Sequence, residues 1–165
     1  MTREFFGLYR GSVAANIDPL LRGRVQVSVP AVFGDGRLAW AEPCVPFAGN
    51  SVGGFALPPV GAAAWVQFEG GDPDYPVIAG CFWQTGESPA PGLPEVKMFK
   101  SDGITVTVSD VPGAGGVTVE VGPPAVPVPM KLVMGPDGIE LSTGASSVVL
   151  DGTKVSVNGG ALDVT

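Results

Sequence analysis

VGAAAWVQFEGGDPDYPVIAGCFW, residues 60–83, is the stretch on which the reading of the whole chain turns. It holds two apolar, β-prone runs, 62–68 and 75–82, separated by Glu69-Gly70-Gly71-Asp72-Pro73-Asp74. Glycines admit positive φ, Asp72 accepts hydrogen bonds from the backbone ahead of it, and Pro73 ends strand pairing. Two strands joined by a tight corner follow from that composition.

Upstream the same grammar repeats. Residues 5–15 (FFGLYRGSVAA) read as a first strand ending at Asn16-Ile17-Asp18-Pro19. In residues 23–29 (GRVQVSV), Val25, Val27 and Val29 fall on one face and Arg24, Gln26 and Ser28 on the other, the period of a half-buried strand closed by Pro30. Residues 38–47 make a third strand, interrupted by Pro43 and Pro46 and therefore edge-like or bulged. Residues 48–59 read as loop. Five strands within roughly 80 residues suit a small closed barrel, in which closure removes exposed edges.

Composition agrees with an all-β chain. Of 165 residues, 45% are hydrophobic, enough for a core, while Gly 25 and Pro 17 break every run before it reaches helical length. The net charge of −7, with no Lys/Arg cluster, argues against nucleic acid and against an anionic membrane surface. No apolar run is long enough to span a bilayer, and MTREFFGLYR has the character of neither a signal nor a transit peptide, so synthesis and folding in the cytoplasm are expected. Histidine is absent, which removes the commonest general base and zinc ligand. Cys44 and Cys81 sit in strand-like settings and read as buried thiols, with a disulfide across the sheet as the alternative.

Beyond Trp83 the composition shifts. Residues 84–94 (QTGESPAPGLP) are a linker by composition, and from there the chain becomes a series of short strands at 103–109, 116–122, 130–134, 138–142, 147–150 and 154–157. Ser101-Asp102-Gly103-Ile104, Pro136-Asp137-Gly138-Ile139 and Leu150-Asp151-Gly152-Thr153 echo one another, and Gly135, Gly144, Gly152 and Gly160 fall nine, eight and eight residues apart. Such segments bury no core alone and leave long edges unpaired, so they must stack on something. Three chains around one axis satisfy both needs, with Ile139, Leu141, Val148, Leu150, Val155, Val157, Leu162 and Val164 meeting at the axis. The expected layout is a small closed barrel over residues 1–84, a Pro/Gly linker over 85–95 and an intertwined trimeric β-helix or β-prism over 96–165.

Several fixed strings carry a resemblance. DPLLRGRVQV at 18–27, WAEPCVPFAG at 40–49, PPVG at 58–61 and VQFEGGDPDYPVIAG at 66–80 closely resemble the N-terminal OB-fold of phage baseplate spike proteins, of the VgrG proteins of type VI secretion, and of the spikes of extracellular contractile injection systems. The tail ending VNGGALDVT is similar to the β-helical end of such spikes. The resemblance implies a homotrimer: a barrel collar carrying a tapered β needle, with a hub protein on the barrel side and a PAAR-like tip protein or an effector at the point. It implies no cofactor. The inserted lysozyme domain of some phage spikes, the hub domains of the VgrG type and the tip-iron histidines are not found, so hydrolase activity is not carried over.

Candidate chemistry in the residues themselves is sparse. Asp72 and Asp74 read as turn caps rather than a catalytic pair, and Glu42 and Glu69 have no base or thiolate partner at suitable spacing. Arg22 and Arg24 read either as a solvated face of the second strand or as partners, across subunits, of Glu69 and Asp72. The glycines at 34–36 and 113–116 precede no helix and do not make a phosphate loop. Trp40, Trp65 and Trp83 with Phe47, Phe68 and Phe82 read as core packing, with a base-stacking platform as the alternative. A non-enzymatic structural spike is thus the primary expectation, and an OB-fold module binding an oligosaccharide or single-stranded nucleic acid the second.

Overall fold

A computed structural model describes residues 4–90 and 92–164. The first three residues of the expected barrel span, Pro91 of the linker and Thr165 at the end of the expected needle span lie outside the described residues. The chain divides into two compact units, one ending at Glu87 and the other beginning at Ser88.

The first unit is a closed five-stranded barrel. Its strands are β1 (Tyr9–Ala15), β2 (Val25–Ser28), β3 (Leu38–Pro43), β6 (Ala63–Phe68) and β7 (Pro76–Cys81), with a helical turn α1 (Pro30–Phe33) and a small hairpin of β4 (Ala48–Gly49) and β5 (Val52–Gly53) between them. The barrel order is β1-β2-β3-β7-β6. All contacts around it are antiparallel except the closure, where Glu42 and Pro43 of β3 run parallel to Val77 and Ile78 of β7. The alternation read in β2 is realised: Val25, Val27 and Val29 are wholly buried and join Phe5, Val13, Ala41, Ala64, Val66, Phe68 and Ile78 in one core.

Pro30 does more than end β2. Its preset φ suits the first helical position, and the chain turns once, with Gly34 N–H donating to the Pro30 carbonyl at 3.0 Å. That turn leans Val32 and Phe33 on the core, Phe33 lying edge-on to Phe68 with centroids 5.7 Å apart. Four residues are too few to show a helical period, so the element was not legible in sequence. The corner at 69–74 is a 3-10 turn, Glu69–Gly71, with Gly70 and Gly71 at φ 57° and 81°. The Asp72 carboxylate accepts from the Asp74 N–H at 3.0 Å, and the Gly71 carbonyl accepts from the Phe5 N–H at 2.8 Å. Residues 5–8 thus precede β1 rather than forming part of it, and of them only Phe5 enters the core.

The second unit is one eight-stranded antiparallel meander. Strands β8 (Val96–Lys100), β9 (Ile104–Ser109), β10 (Gly116–Val121), β11 (Met130–Gly135), β12 (Gly138–Thr143), β13 (Ser146–Leu150), β14 (Val155–Val157) and β15 (Leu162–Val164) pair strictly with their neighbours in sequence. The sequence reading placed six of them and missed the outer two. VKMFK was obscured by its two lysines, and LDV is only three residues long. The reading also supposed that strand edges wait for neighbouring chains. In the structure β9 to β14 are paired on both sides within the chain, and only β8 and β15 keep an unpaired edge in this sheet. Asp-Gly turns explain why: the Asp151 carboxylate, for example, accepts from the Thr153 and Lys154 N–H groups at 2.7 and 2.9 Å, making a local hairpin cheaper than a long-range pairing.

Candidate assembly surface

The register of the meander sorts its side chains onto two faces. On one face two rows run across every strand. The first is Lys97, Val108, Val117, Met134, Ile139, Leu150, Val155 and Val164; the second is Phe99, Val106, Val119, Leu132, Leu141, Val148, Val157 and Leu162. All eight residues expected at a needle axis lie on this face, and Lys97 is the one polar member of either row. The opposite face carries Thr105, Glu120, Lys131, Ser142 and Ser147 in one row and Thr107, Thr118, Val133, Glu140, Val149 and Ser156 in the next, with a Glu120–Lys131 ion pair at 3.1 Å.

Nothing within the unit covers the apolar face. Ile139 is 41% exposed, Leu141 57% and Leu162 59%; every buried hydrophobic side chain among the described residues belongs to the barrel unit. An apolar strip of this extent is not what a solitary soluble domain leaves in water. Lys97 does not interrupt the strip, because its ammonium bonds to the Asp110 carboxylate and the Glu95 carbonyl at the margin of the sheet.

In the barrel unit Arg22, Arg24 and Arg37 each pair with a carboxylate. The Asp18 carboxylate, nearly buried, accepts from the N–H groups of Leu20 and Arg22 at 2.9 Å and of Arg24 at 3.3 Å. It also accepts from Arg24 Nε at 3.1 Å and Nη2 at 2.8 Å. The Arg24 guanidinium, followed by the three backbone donors, holds the Asp18 carboxyl well below the usual carboxylate range against the opposing effect of burial. The clamp keeps the 18–24 loop in a shape that includes Leu21 at φ 54° with its side chain in solvent. Arg24 is therefore neither on a solvated face nor free for another subunit, because Asp18 lies across the loop from it. Arg22 pairs with Glu42 at 2.7 Å. Glu69 and Asp72 stand on the 3-10 turn, and the structure does not bring them to either arginine. Asp18 itself was read only as a turn residue; the available signal was an aspartate six positions ahead of an arginine across a glycine-containing loop.

Two other expectations change. Cys44 and Cys81 are exposed and unpaired rather than buried, since Pro43 closes β3 before Cys44 and Cys81 lies at the outer end of β7. Of the aromatic set only Phe68 is in the core. Phe47 and Trp83 are exposed, while Trp65 and Phe82 stack outside the barrel, 4.6 Å between centroids, with the Arg10 guanidinium over both rings. The core combines valines with Phe5 and Phe68, and none of the three tryptophans belongs to it. Asp74 pairs with Arg37 at 2.7 Å. Among the described residues no three His, Cys, Asp or Glu side chains converge as metal ligands, and no helix is long and apolar enough to cross a membrane.

Comparison with known proteins follows the same division. Residues 9–83 match the type VI secretion system/phage-baseplate injector OB domain, and residues 96–163 match the phage baseplate V C-terminal trimerisation domain. The type VI secretion system spike protein VgrG5 of Pseudomonas aeruginosa PAO1 is 33% identical over 85 residues, which are 50% of this chain and 10% of that protein. The chain thus spans about a tenth of the length of this relative. An injector-type OB barrel followed by a baseplate trimerisation sheet makes this chain a member of the phage-baseplate and type VI secretion spike family.

Proposed function

We propose that the chain is the central spike of a contractile injection apparatus, acting as a homotrimer and mechanically rather than catalytically. The barrel, residues 1–84, serves as a collar toward a hub protein. Residues 85–95 link it to a needle formed by residues 96–165, and the far end of the needle receives a PAAR-like tip protein or an effector. The assembled particle works inside its producer or after release. One observation carries the reading: an apolar sheet face with no cover in its own chain lies in the same residues that match a trimerisation domain. Such a needle resists buckling because each strand is hydrogen-bonded to the next along its length, so an axial load is spread over the whole ladder.

Deleting the chain in its producing organism and imaging sheathed particles by negative-stain electron microscopy tests this. Particles should lack a spike-bearing baseplate and recover it with the gene restored; intact, spiked particles without the chain would overturn the proposal. A second reading, an OB-fold ligand module, draws on the exposed Trp83 beside Phe82, Pro58 and Pro59. It predicts a rise in barrel melting temperature with an oligosaccharide or oligonucleotide, for which the spike reading has no place.

A further inference from the structure

We infer that Arg10, stacked on Trp65 and Phe82, is a receptor for one carboxylate side chain of a partner protein, and that the apolar groove beyond Phe82 takes the side chain next to that carboxylate. The spike reading supplies only the setting, a baseplate protein on the barrel side. The chemistry rests on the barrel itself.

The barrel wall builds the cluster. Arg10 of β1 and Trp65 of β6 are directly opposed across the ladder, and on its other side Trp65 is opposed by Gly80 of β7. Gly80 has open space where a side chain would stand, and the register shifts between Trp65 and Val66. Phe82 leans over the indole instead, 4.6 Å between centroids, and the guanidinium lies 4.8 Å from the centre of the Trp65 ring and 4.7 Å from that of Phe82. Aromatic rings hold a guanidinium by its flat face and leave the N–H groups along its edge free. Arg22, Arg24 and Arg37 give that edge to a carboxylate of their own chain. Arg10 is exposed and, among the described residues, is the one arginine of the barrel without such a partner.

Shape and charge choose the occupant. A planar fork of N–H donors fits a planar acceptor with two oxygens, and stacking has already fixed its orientation, so little side-chain freedom is lost on binding. The net charge of −7 repels a polyanion along its whole length, whereas a single carboxylate between apolar neighbours meets chiefly the arginine. Phe82 also lines a groove with Trp83, Pro58, Pro59 and Ala62, in which Glu87 is the one charged lining residue. The Glu87 carboxylate accepts from the Gln84 N–H at 2.7 Å and is thereby held in place. It turns a partner's acid away from the groove and toward Arg10, while the apolar neighbour of that acid fits against Trp83 and the prolines.

The test titrates the isotope-labelled full chain with the capped tripeptide acetyl-Leu-Glu-Leu-amide and with its glutamine counterpart, following the Arg10 Nε–H and Trp65 indole N–H resonances. The acidic peptide should move both signals and bind about tenfold more tightly than the neutral one at low salt, the margin of one charge-assisted pair. High salt should erase most of that margin. Arg10→Lys should lose most of it and Arg10→Gln all of it, because an ammonium offers no fork. An unmoved Trp40 indole signal in both variants reports an intact barrel. Equal binding of the two peptides, or no movement of either signal, would overturn the inference. So would tighter binding of an oligothymidylate, which would give the groove to nucleic acid. A smaller particle mass for Arg10→Gln by light scattering would also overturn it, since the carboxylate would then come from a second copy of this chain. If the peptides behave as expected while spiked particles form without the chain, the spike reading falls and the carboxylate site stands.

Discussion

Phe68→Ala should cost the barrel about 4 kcal/mol. The side chain is 7% exposed and sits among three other rings, with centroids 6.1 Å from Phe5, 5.6 Å from Tyr9 and 5.7 Å from Phe33. Truncating a buried phenylalanine to alanine costs about 3–5 kcal/mol. The upper half of that range applies here, because each ring pair adds about 0.5–1.5 kcal/mol beyond its area. The turn α1 also rests on Phe68 through Phe33, so the cavity cannot collapse without moving an element. Urea unfolding at fixed protein concentration, followed by tryptophan fluorescence, reads the barrel directly. With an m-value of about 2 kcal/mol/M the midpoint should fall by about 2 M, and the melting temperature by about 20 °C. Phe82→Ala is the matched control. It removes a ring of the same size from outside the barrel, where it meets Trp65 and Arg10, and should cost about 1 kcal/mol. A Phe68→Ala loss below about 1 kcal/mol, or one no larger than that of Phe82→Ala, would refute the assignment of the core.

Asp18→Asn should destabilise the barrel in a pH-dependent way. The folded state depresses the Asp18 pKa, so its contribution is fully present above the ordinary value of 3.8 and is lost as pH falls further. The melting-temperature gap between parent and variant should therefore stay constant from neutral pH to about pH 5 and narrow below 3.8, and a gap that widens on acidification would contradict the clamp. Gly138→Ala should abolish the trimer, because the backbone has φ 118° and an added Cβ would meet the Leu150 carbonyl oxygen; Gly152→Ala, with open space around it, should leave the mass by light scattering unchanged. Both thiols should label fully with Ellman's reagent in the folded chain, since both are exposed. Burial by surrounding atoms pushes the Cys81 thiol up, so its labelling rate should continue to climb with pH above the range of an ordinary cysteine.

Much of this was legible along the chain, for reasons that attach to particular residues. Val25, Val27 and Val29 announce a half-buried strand because a strand's period is two and a polar residue separates each pair. The GGDP corner announces itself because few residues tolerate φ of 57° and 81°. A shared face was legible too: Ile139 with Leu141, Val148 with Leu150 and Val155 with Val157 each lie two apart, and the structure gathers them onto one face of the sheet. What escaped reading depended on partners distant in sequence or on elements too short to have a period. The turn α1 is one example, and the two-residue strands β4 and β5 inside an assumed loop are another. Neither sequence neighbours nor hydropathy distinguish Phe68, which faces the core, from Phe82, which lies on the barrel wall.

Local chemistry by itself therefore determined that this chain is all-β, where its corners fall, and that its second half has more apolar surface than one copy can hide. Alternation and turn preference act over a few residues, and such properties survive without knowledge of the fold. The tertiary structure decided how edges and charges are matched. It closed the barrel through two parallel pairs between β3 and β7, tied Arg24 to Asp18, set both cysteines in solvent, and kept the hydrogen bonds of the meander within one chain. Each of those outcomes depends on which strands lie side by side, a matter of register in three dimensions rather than of order along the chain.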